Sequence, residues 1–264
     1  MKISQNNYVD KVLYRFGMHD CKPVATPMDA NVKWVASESN RTEEPYKALL
    51  GCLQNLASMS RPDISAAVSI LSKVLSCASK EHWNGLKRIL RYSQGTKDLY
   101  LFYSYHDKAR ALEGYADADY GNNYEDRRSN SGNLFLVYEN LVSWSTERQP
   151  TVSLSSTEAE LISLCNGAKA GIWLSSLIRE IGIESCPFTI FEDNISCIGI
   201  AEEPREHQRT KHIDIKYMYV REIIQSKKMK IQYIRSEDQL ADILTKPLPR
   251  TTFERMTASL QLRN

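Results

Sequence analysis

The chain lacks a pairing pattern in its cysteines, a long apolar run and an excess of either charge. Its six cysteines, at positions 21, 52, 77, 165, 186 and 197, are scattered with no C-x-x-C pair. That excludes a disulfide framework and a Cys-rich zinc site, and it is the usage expected of reduced, intracellular thiols. No stretch nears the roughly 18 uninterrupted apolar residues of a membrane span, so no bilayer crossing is expected. Residues 1–15 hold neither an apolar core nor a small-residue cleavage site, which argues against a secretory signal. Lys+Arg 34 against Asp+Glu 32 gives a formal net charge of +2, so bulk charge names no partner. Internal repeats and low-complexity segments are absent too. What is present is ordinary globular composition, with 42% hydrophobic and 25% charged residues, which argues against disorder. A length of 264 residues allows one large domain or two modest ones.

Residues 1–103 read as mainly helical. Tyr8 to Phe16 is a short amphipathic run, and 19–44 is a polar connector carrying Pro23 and Pro27. Ile64, Val68, Leu71 and Leu75 share one face of a helix opened by Pro62-Asp63, and Trp83, Leu86 and Leu90 do the same in a segment that Gly95 closes. Between 61 and 98 seven Lys/Arg stand against three Asp/Glu, a charge that most helices simply expose to solvent. The texture changes at 104–110. Strand-like runs follow at 111–118, 131–138 and 141–146, the last two joined by Glu139-Asn140 at hairpin length. A long helix at 156–181 places Leu161, Leu164, Ala168 and Ile172 on one side. Then come a strand at 188–193, a short helix to about 202, a helix near 214–226, a strand at 229–235 and a helix at 237–246 ended by Pro247. Three antiparallel strands followed by alternating helix and strand describe an α/β (α+β) domain with a mixed sheet.

Four acids need explaining. Between 113 and 126 there are five (Glu113, Asp117, Asp119, Glu125, Asp126) and no base. Asp117 and Asp119 stand two apart in a strand and point to one face, where like charges repel unless a cation sits between them. Glu160 follows S/T-x-x-E twice, as Ser155…Glu158 and Thr157…Glu160. One helix needs one capping box, and Ser155/Glu158 can supply it, leaving Glu160 free in the first turn. Asp193 ends a strand at a strand–helix junction, with a helix cap as the competing role. Asp242 lies among Leu240, Ile243 and Leu244 in a helix already capped by Ser236-x-x-Gln239, and Asp is a poor mid-helix residue. Asp117, Glu160, Asp193 and Asp242 can converge at one sheet edge and hold hard divalent cations such as Mg²⁺. Two such ions suit in-line attack on a phosphodiester.

The complementary charge lies at 204–235, with nine Lys/Arg against three Asp/Glu, His207 and His212 nearby, and Tyr217, Tyr219 and Tyr233 interleaved. Arg205, Arg209, Lys211, His212, Lys216 and Arg221 are the candidate phosphate contacts.

These residues resemble a known family. GYADADYGNNYEDRRSNSGNLFLV, VSWSTERQPTVSLSSTEAEL, FEDN, RTKHIDIKYMYVRE and EDQLADILTKPLP are similar, in order, to the ribonuclease H region of copia-type retrotransposon Pol polyproteins. ISQNNYVDKVLYRFGM, KPVATPM, LLGCLQNLASMSRPDISAAVSILS and LKRILRYSQGT resemble the segment after the reverse-transcriptase palm. The resemblance implies a mainly helical segment at 1–105, a ribonuclease H-like domain at 106–250 and a tail helix at 251–264. It places the family's four acidic metal ligands on Asp117, Glu160, Asp193 and Asp242, and gives Asp119 and Asp214 no metal duty. It implies an endoribonuclease that hydrolyses the RNA strand of RNA–DNA hybrids with two Mg²⁺ ions, for which Mn²⁺ can substitute. Its implied location is cytoplasmic, including virus-like particles, or nuclear, and its implied partners are the hybrid and the remaining reverse-transcriptase subdomains. Two departures stand out. Tyr120 follows the second acid of the first motif, where the family often has Trp. No Tyr-x-Asp-Asp signature and no protease or integrase motif occurs, so polymerase activity is not expected. The chain is expected to be the C-terminal piece of a Pol polyprotein, or an element remnant with its own start codon. The competing expectation is a catalytically inactive remnant or host-adopted module that binds nucleic acid or protein.

Overall fold

The computed structural model describes residues 1–32, 34–35, 41–105, 110–121, 126–183, 186–202 and 211–264, with backbone alone at 211–214. The chain opens with β1 (Lys2–Ile3), α1 (Asn6–Arg15), α2 (Tyr46–Met59), a 3₁₀ turn at Pro62–Ile64, α3 (Ser65–Ser72), α4 (Lys80–Gly95) and β2 (Tyr100–Phe102). It continues through β3 (Glu113–Asp119), β4 (Asn130–Val137), β5 (Asn140–Arg148), α5 (Ser156–Glu180), β6 (Phe188–Glu192), α6 (Ile195–Glu202), α7 (Lys211–Gln225) and β7 (Met229–Tyr233). A 3₁₀ turn at Ser236–Asp238, α8 (Asp242–Thr245), α9 (Arg250–Ser259) and β8 (Leu262–Arg263) complete it. Two compact units result: Met1–Tyr103 with Lys246–Asn264, and Ser104–Thr245.

The first unit is helical, with one small antiparallel sheet in the order β1-β2-β8. Its core is aliphatic, built on Leu49, Leu53 and Leu56 of α2 and Leu86, Ile89 and Leu90 of α4. Ile64, Val68 and Leu71 are buried as their spacing demands, but α3 ends at Ser72 and leaves Leu75 40% exposed. The start of α4 is fixed by a reciprocal cap: the Ser79 N–H donates to His82 Nδ1, and Ser79 Oγ accepts from the His82 N–H. The basic face of α4 is put to structural use. Arg88 donates to Thr26 Oγ1, Arg91 donates to the Lys22 carbonyl, and Lys87 lies over the Trp83 ring. Two of those cations thus hold the 22–26 connector on α4.

The same unit holds a buried ion pair. Arg61 donates to both Asp63 oxygens, through Nε at 2.9 Å and Nη2 at 2.8 Å. Its remaining donors reach the carbonyl and hydroxyl of Thr96, and the Tyr92 hydroxyl donates to Asp63 at 2.7 Å. Burial, the largest single influence, pulls the Arg61 guanidinium down, but the charge and hydrogen bonds of Asp63 together with Tyr92 outweigh it and hold the group above its ordinary range.

The second unit is a five-stranded mixed sheet in the order β5-β4-β3-β6-β7. β5, β4 and β3 are antiparallel, and β3, β6 and β7 run parallel. This is the mixed α/β sheet expected from the sequence. The β4–β5 turn sits one residue earlier than expected. Tyr138 and Glu139 are the connecting pair, both at positive φ (47° and 59°), which a two-residue turn between right-twisted strands requires. Asn140 belongs to β5, and its amide donates to the Tyr138 and Val137 carbonyls, offsetting that backbone's cost.

α5 crosses the sheet on Leu161, Leu164 and Ala168, which pack with Phe135, Phe188 and Ile190. Gly171 permits this approach, because a Cβ there would stand 2.3 Å from the Phe188 ring. By length and composition α5 would pass as a membrane span, yet 61% of its most apolar stretch is buried inside the unit. Its apolarity is accounted for by the core it builds.

Candidate metal centre and nucleic-acid face

The C-terminal ends of β3 and β6 face the first turn of α5, where parallel strands of an α/β sheet place their sites. β3 carries Asp117, which is 3% exposed, and α5 carries Glu160, which is 7% exposed. Asp193 follows β6 directly. Carboxylate oxygens of the three lie within 4.8 Å of one another. Three acids expected together from sequence are therefore together.

Each alternative role is filled by another residue. Ser155 caps α5 by accepting from the Glu158 N–H at 3.2 Å, and the Glu158 carboxylate accepts from the Leu154 N–H. Glu160 is spared cap duty. Asn194, not Asp193, caps α6: its Oδ1 accepts from the Cys197 N–H at 2.9 Å.

Asp242 is placed differently from expectation. No helix runs from 237 to 246. A 3₁₀ turn without a side-chain cap occupies Ser236–Asp238, and α8 begins at Asp242 itself. Asp242 is thus a first-turn residue, where Asp is well tolerated. It lies outside the 4.8 Å group formed by the other three. Its helix still docks on that group, because Thr245 Oγ1 donates to the Asp117 carboxylate at 2.5 Å. Gly132, paired with Asp117 across the ladder, makes room: a Cβ there would stand 2.6 Å from the Thr245 methyl.

Three further residues stand at the site, and the sequence marks none of them as belonging there, since Gln239 reads as a cap partner of Ser236. Glu192 is fully buried, its Oε1 accepts from the Asn194 N–H, and its Oε2 has no hydrogen-bond partner among the described residues. Read as a strand residue beside Asp193, it was indistinguishable from a solvated Glu. Gln149 donates to the Ala159 carbonyl at 2.8 Å and to Ser131 Oγ, and Gln239 donates to the Ala116 carbonyl at 2.9 Å. Each amide holds the residue immediately before a clustered acid.

The electrostatics follow from burial without cations in the set. Burial, followed by the charges of Glu192, Asp117 and Asp193, holds the Glu160 carboxyl well above the usual carboxylate range. Glu192 is raised as well, by burial first and by Asp193 and Asp117 after it, against a lowering from the Asn194 N–H. Glu160 Oε2 is a buried acceptor with no hydrogen-bond partner among the described residues. A hard divalent cation satisfies such oxygens, and an all-carboxylate donor set is the kind Mg²⁺ and Mn²⁺ prefer. The residues fit the metal.

The basic segment is less focused. Arg205 and Arg209 lie outside the described residues, as do the side chains of Lys211 and His212. Lys216 is half-buried, its amine lowered chiefly by burial and next by Lys169 on α5 against an opposing Cys165 charge. Arg221 lies over the Tyr217 ring at 5.3 Å, and Lys169 lies over Tyr219 at 6.0 Å. Five residues apart, Lys216 and Arg221 leave the helix about 140° apart around its axis, so they are not one patch.

No family model matches the chain. Among known proteins it is 36% identical, over 96% of its length, to the retrovirus-related Pol polyprotein from transposon TNT 1-94 of Nicotiana tabacum, covering 19% of that protein. It is also 36% identical, over 98% of its length, to the Pol polyprotein from transposon RE2 of Arabidopsis thaliana, covering 18% of that one. Among solved structures, RNase H1 from the archaeon Halobacterium salinarum NRC-1 aligns with 51% of this chain and 93% of its own, at 12% identity and a TM-score of 0.39. The chain spans about a fifth of the length of the polyproteins it matches. On sequence the chain resembles, over nearly its whole length, a part of the retrovirus-related Pol polyproteins of transposons.

Proposed function

We propose that the chain is a metal-dependent endoribonuclease that hydrolyses the RNA strand of RNA–DNA hybrids. The observation that carries this is the convergence of Asp117, Glu160 and Asp193 from three separate elements, two of them buried, to within 4.8 Å. A structural role does not account for it, since the cap positions beside Glu160 and Asp193 are filled by Ser155 and Asn194.

In this reading Asp117, Glu160 and Asp193 hold two Mg²⁺ ions, with Asp242 contributing from the α8 side. When bound, a divalent pair makes a water nucleophilic and stabilises the leaving oxygen of the phosphodiester. The chain's own part is orientation and charge. Thr245 fixes the Asp117 carboxylate by hydrogen bonding. The buried walls around the acids keep their negative charge from being screened by bulk water, which strengthens their pull on a cation. Lys216 and Arg221 supply two separate cationic contacts to the phosphate backbone of the hybrid.

The test is cleavage of a labelled RNA–DNA hybrid beside single-stranded RNA, with Mg²⁺ and with chelator. Cleavage of the hybrid alone, lost in chelator and in Glu160→Gln, is expected. Cleavage that persists in excess chelator would overturn the two-metal reading, and a chain that binds but never cuts would return it to the class of binding modules.

A further inference from the structure

The β3–β6 ladder ends before it reaches the acids. Its last pair is Tyr115↔Phe191, so Ala116–Asp117 on one strand and Glu192–Asp193 on the other leave the ladder as the arms of a fork. The next rung is supplied by a side chain. Gln239 Nε2 donates to the Ala116 carbonyl at 2.9 Å and, over a longer 3.5 Å, to the Phe191 carbonyl. The same residue reaches α8 as well: its Oε1 accepts from the Ala241 N–H at 3.2 Å, and its carbonyl accepts from the Asp242 N–H at 3.2 Å. Gln239 is 0% exposed, so these bonds form away from competing water.

We propose that Gln239 is a positioning residue of the carboxylate centre, its amide setting the opening of the β3–β6 fork so that Asp117 and Asp193 meet Glu160 at cation-binding separation. This rests on the metal reading of those acids. Gln239 touches no carboxylate oxygen of the cluster. It acts through Ala116, one residue before Asp117, and through Phe191, two before Asp193. An amide is the residue type the place requires. Two carbonyls need two N–H donors from one planar group, and the Ala241 N–H needs an acceptor on the other side of it. A hydroxyl has one donor, and a carboxylate would face two carbonyls with like partial charge.

The experiment is Mn²⁺ binding by calorimetry on the full chain, beside Mg²⁺-dependent hybrid cleavage. Gln239→Met keeps the volume and removes every side-chain bond. Its Mn²⁺ dissociation constant should rise about 10–100-fold, the range for residues that orient metal ligands without touching the ion. The Mg²⁺ concentration for half-maximal cleavage should rise with it, while KM for the hybrid stays unchanged. Leu141→Ala, a core change on β5, should lower the melting temperature and leave the Mn²⁺ constant alone. That separates positioning from mere loss of stability. Should Gln239→Met fail to fold, Gln239→Asn keeps the amide one methylene short and should weaken Mn²⁺ by about threefold or more. Parent-like Mn²⁺ binding in the folded Gln239 variant would overturn this inference and leave the metal reading standing. A parent chain that binds no Mn²⁺ would overturn both.

Discussion

The two units bury charge in opposite ways. In the first, Arg61, Asp63, Tyr92 and Thr96 form a closed set in which donors and acceptors match and the charges cancel. In the second, Asp117, Glu160, Glu192 and Asp193 bring four acids together, and two of their buried oxygens, on Glu160 and Glu192, find no hydrogen-bond partner among the described residues. A buried charge costs several kcal/mol unless something compensates it. The first set is compensated by the fold itself. The second finds no such compensation for those two oxygens among the described residues, and the proposed metal reading supplies it.

The sharpest way to break that comparison is to neutralise one acid in each set. Asp193→Asn should abolish hybrid cleavage while leaving the metal-free second unit as stable as before or more so. Asp193 caps nothing, and removing one of several like charges relieves repulsion. Asp193→Ala should behave alike, since Asn194 holds the cap. Asp63→Asn should do the reverse, destabilising the first unit by about 3–5 kcal/mol by stranding Arg61, with the acid cluster untouched. Thermal unfolding in chelator, with hydrogen exchange at α4 and α5 to assign the loss, reads both. If Asp193→Asn melts lower and still cuts, the site assignment is wrong.

Metal should sharpen the contrast next. Mg²⁺ at about 100 times its dissociation constant should stabilise the second unit by about 2.7 kcal/mol and leave the first unchanged. Equal protection of α4 and α5 amides on adding Mg²⁺ would count against a centre confined to the second unit.

pH gives a smaller effect with a defined sign. Glu160 and Glu192 are raised in the fold, so below the ordinary carboxylate pKa of about 4.5 both folded and unfolded chains are protonated and stability is full. Above it the fold holds protons that the unfolded chain has lost, and stability falls as pH rises toward the folded values. The metal-free second unit should therefore soften between pH 5 and pH 8, about the window where carboxylates are ordinarily ionised. In the first unit Tyr92, raised chiefly by burial and then by the Asp63 charge, puts its own loss above its ordinary value of 10. Melting curves in chelator that are flat across that window in the second unit would show the acids to be solvated. Smallest of all, replacing Lys216 and Arg221 together by Ala should flatten the slope of log hybrid affinity against log salt by about one to two units. An unchanged slope would make them surface residues only.

The amino-acid sequence by itself determined the mixed α/β class, a set of four acids of which three lie together, and the face of α5 that is buried. Those are local or periodic signals: side-chain alternation in β3, the 3.6-residue repeat of Leu161, Leu164 and Ala168, and a capping box that could belong to only one of two glutamates. Tertiary structure decided the rest. Whether Asp242 sits mid-helix or at a helix start depended on where the chain breaks, and Gln239, read as a cap, broke it by turning inward to bridge two strands. Glu192 and the Arg61–Asp63 pair look alike on the page as charged residues in a polar-looking stretch, and only their neighbours make one compensated and the other not. The return of α9 and β8 to the first unit, with β8 pairing β2 and Phe253 meeting the Tyr92 ring edge-on, was equally invisible. Periodicity fixes which side of an element is buried. What it is buried against is set by contacts between residues far apart in the chain, and a single sequence carries no local trace of them.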